Sequence, residues 1–421
     1  MKKKLRIILV WTLVSLVLQY GAYSYLNNQV QKVMAPSEKS EPVTLQLKAT
    51  IPGSDLKNIQ VSYAKDYLAY TENGTFKIFN LINKKVVFEK KSPSPNDKTL
   101  GVLTYQWLPD RNTLLYFYAK KNPNPVTSVT VYPPKTTVKT PIPTPTPVEP
   151  KTEDPNQKIV TEVPKVVFKE VPVEPRIEKR INPQITELYS LELPNSDEST
   201  APTDNFDQTI DNFSAGGKIE DLVVSTFTNS MYFTVKNEST ELLMQIDIMK
   251  HVRTLSKSGE SIDNMVASER NGTLYIDSKM GTTRQVIALD GTNRHIISKN
   301  NNDRILGIRA GKIYIGEIQN NELVKIKTTP DLPELTNNPS LKTEWKGSIP
   351  FGNNVRTLIG AKGQMVVYNH QTAYIVTDGQ LAEVQLHGDE NYVSVDGAEL
   401  IQLTKEGTST LVELQPLKPK S

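Results

Sequence analysis

Short stretches of alternating apolar and polar residues recur along most of the chain. Each stretch combines a turn residue, a hydrophobic strand that often carries tyrosine, and a second alternating strand. Seven copies are present, centred on Ala69, Tyr116, Tyr232, Tyr275, Tyr314, Val366 and Ile401. Alternation of this kind, with turns at Asn73-Gly74, Asn271-Gly272 and Asp396-Gly397, predicts β-hairpins. No long helical period appears after Leu26, so the sequence predicts an all-β fold.

The copies repeat at the period of β-propeller blades. Their centres lie 35 to 52 residues apart, except for one interval of 116 residues that contains a proline-rich segment. A period of about 40 residues leaves room for four short strands per unit. Closing such units into a ring protects sheet edges that an open stack would expose. The sequence therefore predicts a β-propeller of about seven four-stranded blades.

The chain also provides a strand that can close this ring. The last copy supplies only three strands, Tyr392–Val395, Glu399–Thr404 and Ser409–Leu414. The segment Thr44–Ala49 precedes the first strand of the first blade, Ile59–Ser62, and has no predicted place in that blade. We expect this N-terminal strand to complete the last blade and to join the two ends of the ring.

A proline-rich segment interrupts the second blade. Fourteen of the 28 prolines lie between Pro123 and Pro183. Because proline fixes φ and removes an amide donor, residues 122–184 are predicted to be a disordered or polyproline-II insertion. It would join two adjacent strands, Leu114–Ala119 and Ile185–Leu193, because loop-closure entropy grows only slowly with length. A spacer is favoured over a ligand for a proline-reading partner module.

A second interpretation of this segment stays open. It divides the exported part into a small β domain, Val43–Ala119, and a five-bladed unit after Ile185. Under the first interpretation, residues 36–121 form the first blades and residues 185–421 form the remaining blades of one ring. The two interpretations differ in whether strands on either side of the segment share a sheet.

The N-terminal segment has the pattern of a membrane anchor. Residues 7–31 contain no charged residue, and the most apolar part, Ile7–Leu26, matches the thickness of a bilayer as a helix. Residues 1–6 carry four positive charges, which predicts a cytoplasmic tip and an extracytoplasmic remainder. A cleaved signal peptide with a cut after Val33-Met34-Ala35 is the alternative, disfavoured by Pro36. Both interpretations place the rest of the chain outside the cytoplasm.

Charge and composition narrow the classes of function. The formal net charge is +3, but the four positive charges of the tip leave the exported part close to neutral. A nucleic-acid partner is not expected, because phosphate binding needs a concentrated basic face. The absence of cysteine from the sequence excludes disulfides, thiolate metal ligands and cysteine nucleophiles.

The second blade carries a recognisable sequence motif. LTYQWLPDRNTLLYFYAK, followed after the insertion by ITELYSLELP, resembles the blades of TolB-like and dipeptidyl-peptidase-type propellers of exported bacterial proteins. In those blades a strand ending in Trp, a Pro-Asp turn and an aromatic strand recur. Only Val102–Leu193 shows this motif here, so the resemblance covers architecture. It implies that the chain, which lacks a hydrolase domain, binds peptides, proteins or envelope ligands.

No linear motif for catalysis or cofactor binding is present. The chain has no G-x-S-x-G elbow, P-loop or G-x-G-x-x-G sequence. Four isolated histidines, His251, His295, His370 and His387, are expected to serve surface or packing roles. We therefore predict no catalytic, cofactor-binding or metal-ligating residues and no cofactor.

Other polar and aromatic residues are expected to have structural roles. Asp204, Asp207 and Asp211 are predicted to lie on a solvated acidic loop, since an EF-hand glycine and closing glutamate are missing. Tyr232, Tyr275 and Tyr314 recur at one repeat position, which favours blade packing over partner binding. Trp107 is expected in a blade core.

The combined prediction is a non-enzymatic, membrane-anchored extracytoplasmic propeller that binds a protein, peptide or cell-envelope polymer. Loops on the two faces of a propeller suit partner capture without a chemical step. One alternative is a hydrolase or lyase whose carboxylates converge at the propeller mouth from different blades. Another is an accessory or regulatory subunit of a membrane signalling or envelope complex.

Overall fold

The computed structural model describes residue 19 and most of residues 47–416. Within that range it leaves out 95, 132–135, 140–167, 172–175, 196–199, 211–212, 214–215, 238–239, 353, 361–362 and 395–398. The predicted anchor, residues 7–31, lies outside the described part apart from residue 19. Among the described residues, no helix is long and apolar enough to cross a membrane.

The described chain forms seven four-stranded antiparallel sheets, which are the blades of a propeller. The first strand belongs to the last blade and is β1 (Leu47–Pro52). Blade 1 contains β2 (Lys57–Val61), β3 (Tyr67–Glu72), β4 (Thr75–Asn80) and β5 (Lys85–Lys90). Blade 2 begins with β6 (Gly101–Trp107) and β7 (Thr113–Lys121). Four further strands then form a projecting arm, β8 (Val126–Val131), β9 (Thr136–Lys139), β10 (Phe168–Val171) and β11 (Arg176–Ile181).

The remaining strands follow in chain order. Blade 2 ends with β12 (Gln184–Glu192) and β13 (Thr203–Thr209). Blade 3 contains β14 (Lys218–Ser225), β15 (Ser230–Lys236), β16 (Glu241–Ile246) and β17 (Val252–Thr254). Blade 4 contains β18 (Glu260–Ala267), β19 (Thr273–Met280), β20 (Thr283–Asp290) and β21 (Asn293–Ser298).

The last three blades complete the ring. Blade 5 contains β22 (Asp303–Arg309), β23 (Lys312–Gln319), β24 (Glu322–Pro330) and β25 (Lys342–Pro350). Blade 6 contains β26 (Arg356–Ile359), β27 (Met365–Tyr368), β28 (Thr372–Thr377) and β29 (Gln380–Gln385). Blade 7 contains β30 (Glu390–Val393), β31 (Glu399–Glu406), β32 (Ser409–Pro416) and β1.

The closing strand is confirmed as β1, which extends past the predicted Thr44–Ala49 to Pro52; residues 44–46 lie outside the described part of the chain. β1 pairs antiparallel with β32, and the register places Ala49 opposite Val412 and Ile51 opposite Thr410. Both inward-facing side chains of this strand, Ala49 and Ile51, are buried. The alternation of apolar and polar residues in LKATIP explains this placement, because every second side chain of a strand faces the neighbouring blade.

The core is divided among the junctions between blades. Seven buried apolar clusters occur in the described chain, and each one joins two neighbouring blades. Aromatic side chains such as Phe76, Trp107 and Tyr116 fill the junction of blades 1 and 2. Ile51, Ile59 and Val412 fill the junction of blades 7 and 1. Burial of apolar surface at every junction, including this last one, holds the sheets in a closed ring.

Strands on both sides of the proline-rich segment share blade 2. β12 pairs with β7 over its full length, from Gln184 opposite Lys121 to Glu192 opposite Thr113. The predicted neighbouring strands of this blade are therefore confirmed. The alternative with two separate domains is wrong, because residues before and after the segment build one sheet.

The ends of the proline-rich segment are paired strands. β8 pairs with β11, and β9 pairs with β10, both antiparallel. Backbone bonds from Asn122 N to Pro183 O (2.8 Å) and from Asn182 N to Pro125 O (2.7 Å) continue the β7–β12 ladder into this arm. The prediction of disorder or polyproline II is wrong for these strands. Their runs lack proline and are rich in β-branched residues, which favours strand pairing.

The predicted turns have different outcomes. Asn73 and Gly74 both have positive φ, 50° and 76°, and join β3 to β4, as expected for a tight hairpin. Asn271 and Gly272 precede β19 instead of forming a two-residue hairpin, and Asn271 Nδ2 donates to Asp331 Oδ1 at 3.0 Å. Asp396-Gly397 lies outside the described residues.

Candidate ligand-binding face

The two faces of the ring differ in the connections they carry. One face carries the turns between the second and third strands of each blade. The arm leaves blade 2 on this face, between β7 and β12, so we call it the arm face. Pro52, the end of β1, pairs with Ser409 beside the corresponding turn of blade 7. Leu47, the start of β1, pairs with Leu414 at the opposite end. The chain therefore enters the ring at the other face, which we call the entry face.

A cleft of about 360 Å³ opens on the arm face between blades 6 and 7. Its walls come from the connection between blades 5 and 6, the β27–β28 turn and the first strand of blade 7. The lining residues are Asn354, Val355, Arg356, Tyr368, Asn369, His370, Glu390, Asn391 and Tyr392. Its volume falls within the range of small-molecule sites in proteins, and most of its lining residues carry a polar group on their side chain.

Arg356 and Tyr392 form the charged side of the cleft. The Arg356 guanidinium carbon lies 4.9 Å from the centre of the Tyr392 ring, a cation–π contact. The Tyr392 hydroxyl donates to Glu390 Oε2 at 2.8 Å. Burial, and then this hydrogen bond, raise the pKa of Tyr392 well above its ordinary value, so the phenol stays neutral. Among the described residues, no carboxylate lies within ion-pair distance of Arg356, which is exposed.

Asn391 forms the buried wall of the cleft. It is 7% exposed, and its Nδ2 donates to the His370 carbonyl oxygen at 2.8 Å. This bond fixes the orientation of the amide, because a flipped amide would place two acceptors together. Its Oδ1 atom is buried and has no hydrogen-bond partner in the described part of the chain. Buried acceptors are normally satisfied, so this atom can accept a hydrogen bond from a group outside the described chain.

The predicted acidic loop is a strand. Asp204 and Asp207 lie on β13, the outer strand of blade 2, whereas Asp211 lies outside the described residues. Asp204 accepts hydrogen bonds from the Tyr116 hydroxyl (2.6 Å) and from Lys90 Nζ (2.9 Å). The loop prediction is wrong because cross-strand and cross-blade donors compensate the acidic residues, which single-sequence patterning does not reveal.

These contacts belong to an aromatic cluster at the outer edge of blades 1 and 2. Lys90 Nζ lies 4.4 Å from the centre of the Tyr189 ring and 5.2 Å from that of Tyr118. Tyr189 stacks on Tyr116 with ring centres 5.1 Å apart, and Phe206 covers its edge. The cluster is largely satisfied internally, since both charged groups have partners. Its role is to hold blade 2 against blade 1 at the base of the arm.

Carboxylates also gather near the inner strands of blades 3 and 4. Burial, with the negative charges of Glu220, Glu241 and Asp263, raises the pKa of Asp221 to about 6. Glu241 Oε1 accepts from the Ile262 amide at 2.7 Å, and Asp263 pairs with Arg284. Within the described residues, no group of three or more histidine or acidic side chains is placed to hold a metal ion.

The four histidines occupy separate structural settings. His251 Nδ1 lies 3.2 Å from Asp247 on the surface, and His295 has a buried Nδ1 without a partner among the described residues. The His387 carbonyl accepts from Gln402 at 2.9 Å. Only His370 lines the cleft, where its carbonyl positions Asn391.

The packing predictions for aromatic residues are confirmed. Tyr232, Tyr275 and Tyr314 are buried at blade junctions. Trp107 is buried in blade 2, and its Nε1 donates to the Gln60 carbonyl of blade 1 at 3.3 Å. Sequence reasoning did not identify Arg356, Asn391 or Tyr392. These residues belong to two blades and meet only through the packing of one sheet on the next, which leaves no linear motif.

The sheet topology defines the chain as a seven-bladed β-propeller. No protein-family model and no curated protein sequence matches it. Solved structures similar to it include the Myceliophteria thermophila Cps50 (Swd1) β-propeller domain, with 12% identity and a TM-score of 0.47 over 88% of this chain and 98% of that one. The Dos1 propeller has 11% identity and a TM-score of 0.45 over 87% and 80%. A nidogen/laminin complex has 14% identity and a TM-score of 0.36 over 51% and 81%.

Proposed function

We propose that this chain is a non-enzymatic, membrane-anchored extracytoplasmic propeller that binds a protein, peptide or cell-envelope ligand through its arm face. The observation that carries the proposal is the cleft between blades 6 and 7, which opens on the face opposite to the entry of the chain. A closed ring provides rigid walls for such a cleft, while its loops supply the contacts.

The position of the anchor supports this orientation. The apolar residues 7–31 precede β1, which enters the ring at the entry face. An anchored ring would therefore turn its entry face toward the membrane and its arm face toward the surroundings. We also propose that the chain is a TolB-like propeller, because blade 2 carries the Trp-Leu-Pro-Asp motif.

The arm supports partner binding on the same face. Its two-stranded ribbon exposes Val126 (54%), Ile177 (72%) and Ile181 (75%). An isolated two-stranded ribbon is marginal in water and presents unpaired backbone groups at both edges. Apolar side chains on such a projection favour contact with a partner over a role in the ring.

Crosslinking followed by pull-down from membranes tests this function. The full chain should capture a partner, and replacing arm-face residues such as Asn354 and Asn369 with lysine should reduce capture. Lysine in place of the exposed entry-face residues Ile82 and Asn83 should leave capture unchanged. Equal capture by both sets, or no specific capture by the native chain, would reject the arm face as the binding surface.

An accessory or regulatory role in a membrane complex is compatible with this proposal. In that case the span itself would contact the complex. Exchanging residues 1–31 for an unrelated anchor would then abolish the cellular function, whereas a simple tether would be replaceable.

A hydrolase or lyase is the second candidate function. The observation that favours it is the grouping of Asp221 with Glu241, which accepts from the Ile262 amide, and with Asp263; their charges, with burial, raise the pKa of Asp221 to about 6. A carboxyl group titrating near neutrality can act as a general acid or base. The triple variant Asp221→Asn, Glu241→Gln, Asp263→Asn should leave partner capture intact if the protein is a binding module. Loss of a hydrolytic activity on envelope material, without loss of binding, would support the enzyme.

A further inference from the structure

We infer that the cleft between blades 6 and 7 binds the carboxylate of an extended peptide, with Arg356 as its anion partner and Asn391 Oδ1 as acceptor for a peptide N–H. This inference rests on the proposed binding function of the arm face and names the ligand class. Arg356 and Asn391 line the same cleft. The Arg356 guanidinium can bind an anion, and Asn391 Oδ1 can accept a hydrogen bond from a donor.

Arg356 has the properties of an anion-binding residue. It is exposed in the cleft, and no carboxylate of the described chain lies within ion-pair distance. The Tyr392 ring supports its guanidinium at 4.9 Å, which limits the orientations of the side chain. A planar guanidinium held in this way presents two parallel N–H groups to a carboxylate.

Asn391 adds a second, independent requirement. Its Nδ2 is used by the His370 carbonyl, so the amide cannot rotate to satisfy Oδ1 within the chain. Asn391 lines the cleft, and its Oδ1 acceptor is buried and unpaired among the described residues. A peptide N–H that enters beside Tyr368 and Tyr392, with a small shift of the wall, would supply the missing donor.

The surroundings favour a peptide carboxylate over an acidic glycan or a phosphate. A glycan would need an open aromatic face, but Arg356 covers Tyr392 and Tyr368 is buried. A phosphate carries more negative charge than one arginine balances, and Glu390 stands in the same cleft. A peptide C-terminus combines a singly charged carboxylate with amide N–H donors. The carboxylate suits the Arg356 guanidinium, and its single charge is repelled less by Glu390 than a phosphate would be.

Binding of a minimal probe to the full chain in lipid nanodiscs tests the inference. The probe is acetyl-glycyl-glycine with a free carboxylate, and the matched comparison is its C-terminal amide. We expect a saturable shift of the Arg356 side-chain N–H and Asn391 side-chain amide resonances, with affinity in the millimolar range. The amide probe should bind at least about tenfold more weakly, since hydrogen bonds to charged groups are the stronger ones.

Variants identify the groups responsible. Arg356→Gln should weaken binding of the carboxylate probe about tenfold and remove the preference over the amide probe. Arg356→Lys should restore part of the affinity, because the charge remains but the planar fork is lost. Asn391→Leu should weaken binding of both probes alike. Arg111→Gln, on the entry face, is the control and should bind like the native chain. Circular dichroism and thermal melting verify that each variant is folded.

The outcomes separate this inference from the proposed function. Tighter binding of glucuronic acid or inorganic phosphate than of acetyl-glycyl-glycine would overturn the peptide assignment. Equal binding of the acid and amide probes, or no effect of Arg356→Gln, would overturn it too. If partner capture by the native chain persists in either case, the arm face remains a binding surface and only the ligand class is wrong. If the native chain captures no partner, the proposed function itself fails.

Discussion

A buried carboxyl group on β19 illustrates how backbone donors and burial act together in this ring. Asp277 on β19 is 2% exposed, and the Ile305 amide of the next blade donates to its two oxygens at 2.9 and 3.1 Å. One amide does not compensate for the loss of water, so burial raises the pKa of Asp277 to about 8. The group therefore couples the stability of the junction of blades 4 and 5 to pH.

The contribution of Asp277 to the stability of the folded protein should fall as the pH rises from about 4 to about 8. Asp277 binds its proton more tightly in the folded chain than in the unfolded chain, where the pKa is near 3.8. Its stabilising contribution is therefore present below that value and is lost through the folded pKa. Asp277→Asn should flatten this part of the profile, as measured by urea unfolding at several pH values. Asp378→Asn, at an exposed turn, is the control, and equal slopes for the native chain and Asp277→Asn would contradict the assignment.

At the scale of elements, closure depends on one short strand. Ile51 is fully buried and packs with residues of blades 7 and 1. Thr410 Oγ1 also donates to the Gly53 carbonyl at 2.7 Å just after this strand. These contacts make β1 the link between the first and the last parts of the ring.

Ile51→Ala should destabilise the whole ring. Truncating a fully buried isoleucine costs about 2–5 kcal/mol, including the cavity that it leaves. Denaturant unfolding should show this loss in a single transition. Thr50→Ala, on the exposed side of the same strand, should cost little. A similar effect of both substitutions would mean that β1 does not close the ring through the core.

The arm should be dispensable for folding. It continues the β7–β12 ladder but contributes no residue to the seven buried clusters of the described chain. Replacing residues 123–182 with Asn-Gly should leave the free energy of unfolding unchanged or raise it. A shorter connection also has a smaller closure entropy, although this term grows only slowly with length. Loss of cooperative unfolding in this variant would show that the arm belongs to the core.

The same elements show how far a single sequence predicts this structure. The closing strand and the blade hairpins follow from period-two patterning, because each strand buries one face against a neighbour. The sequence pattern does not reveal β13, because the partners of its acidic residues, Tyr116 and Lys90, lie on other strands. The pattern does not reveal the arm strands either, because the prolines on both sides of them dominate the composition of this segment. The cleft was not predictable, since Arg356 and Tyr392 approach each other only through packing between blades.

At the scale of the whole molecule, the two faces should lie at different distances from the membrane. The sequence contains no cysteine, so single-cysteine variants can carry a fluorophore at one chosen site. A label at Ile82→Cys on the entry face should be quenched more strongly by nitroxide lipids than one at Ile177→Cys on the arm. In a control chain that lacks residues 1–31, the two labels should be quenched equally by nitroxide lipids. Stronger quenching of the arm label would reverse the proposed orientation.

The pairing of β1 with β32 also constrains the order of events during biosynthesis. The partner of β1 is the last strand of the described chain to be synthesised, so β1 must wait unpaired while all the other blades form. Until the β31–β32 hairpin arrives, β1 keeps its backbone groups unpaired, and blade 1 lacks the apolar neighbour that blade 7 provides. Maturation of the ring is therefore gated by the synthesis of β32, and a truncated product lacking that hairpin would leave β1 open to proteolysis or self-association.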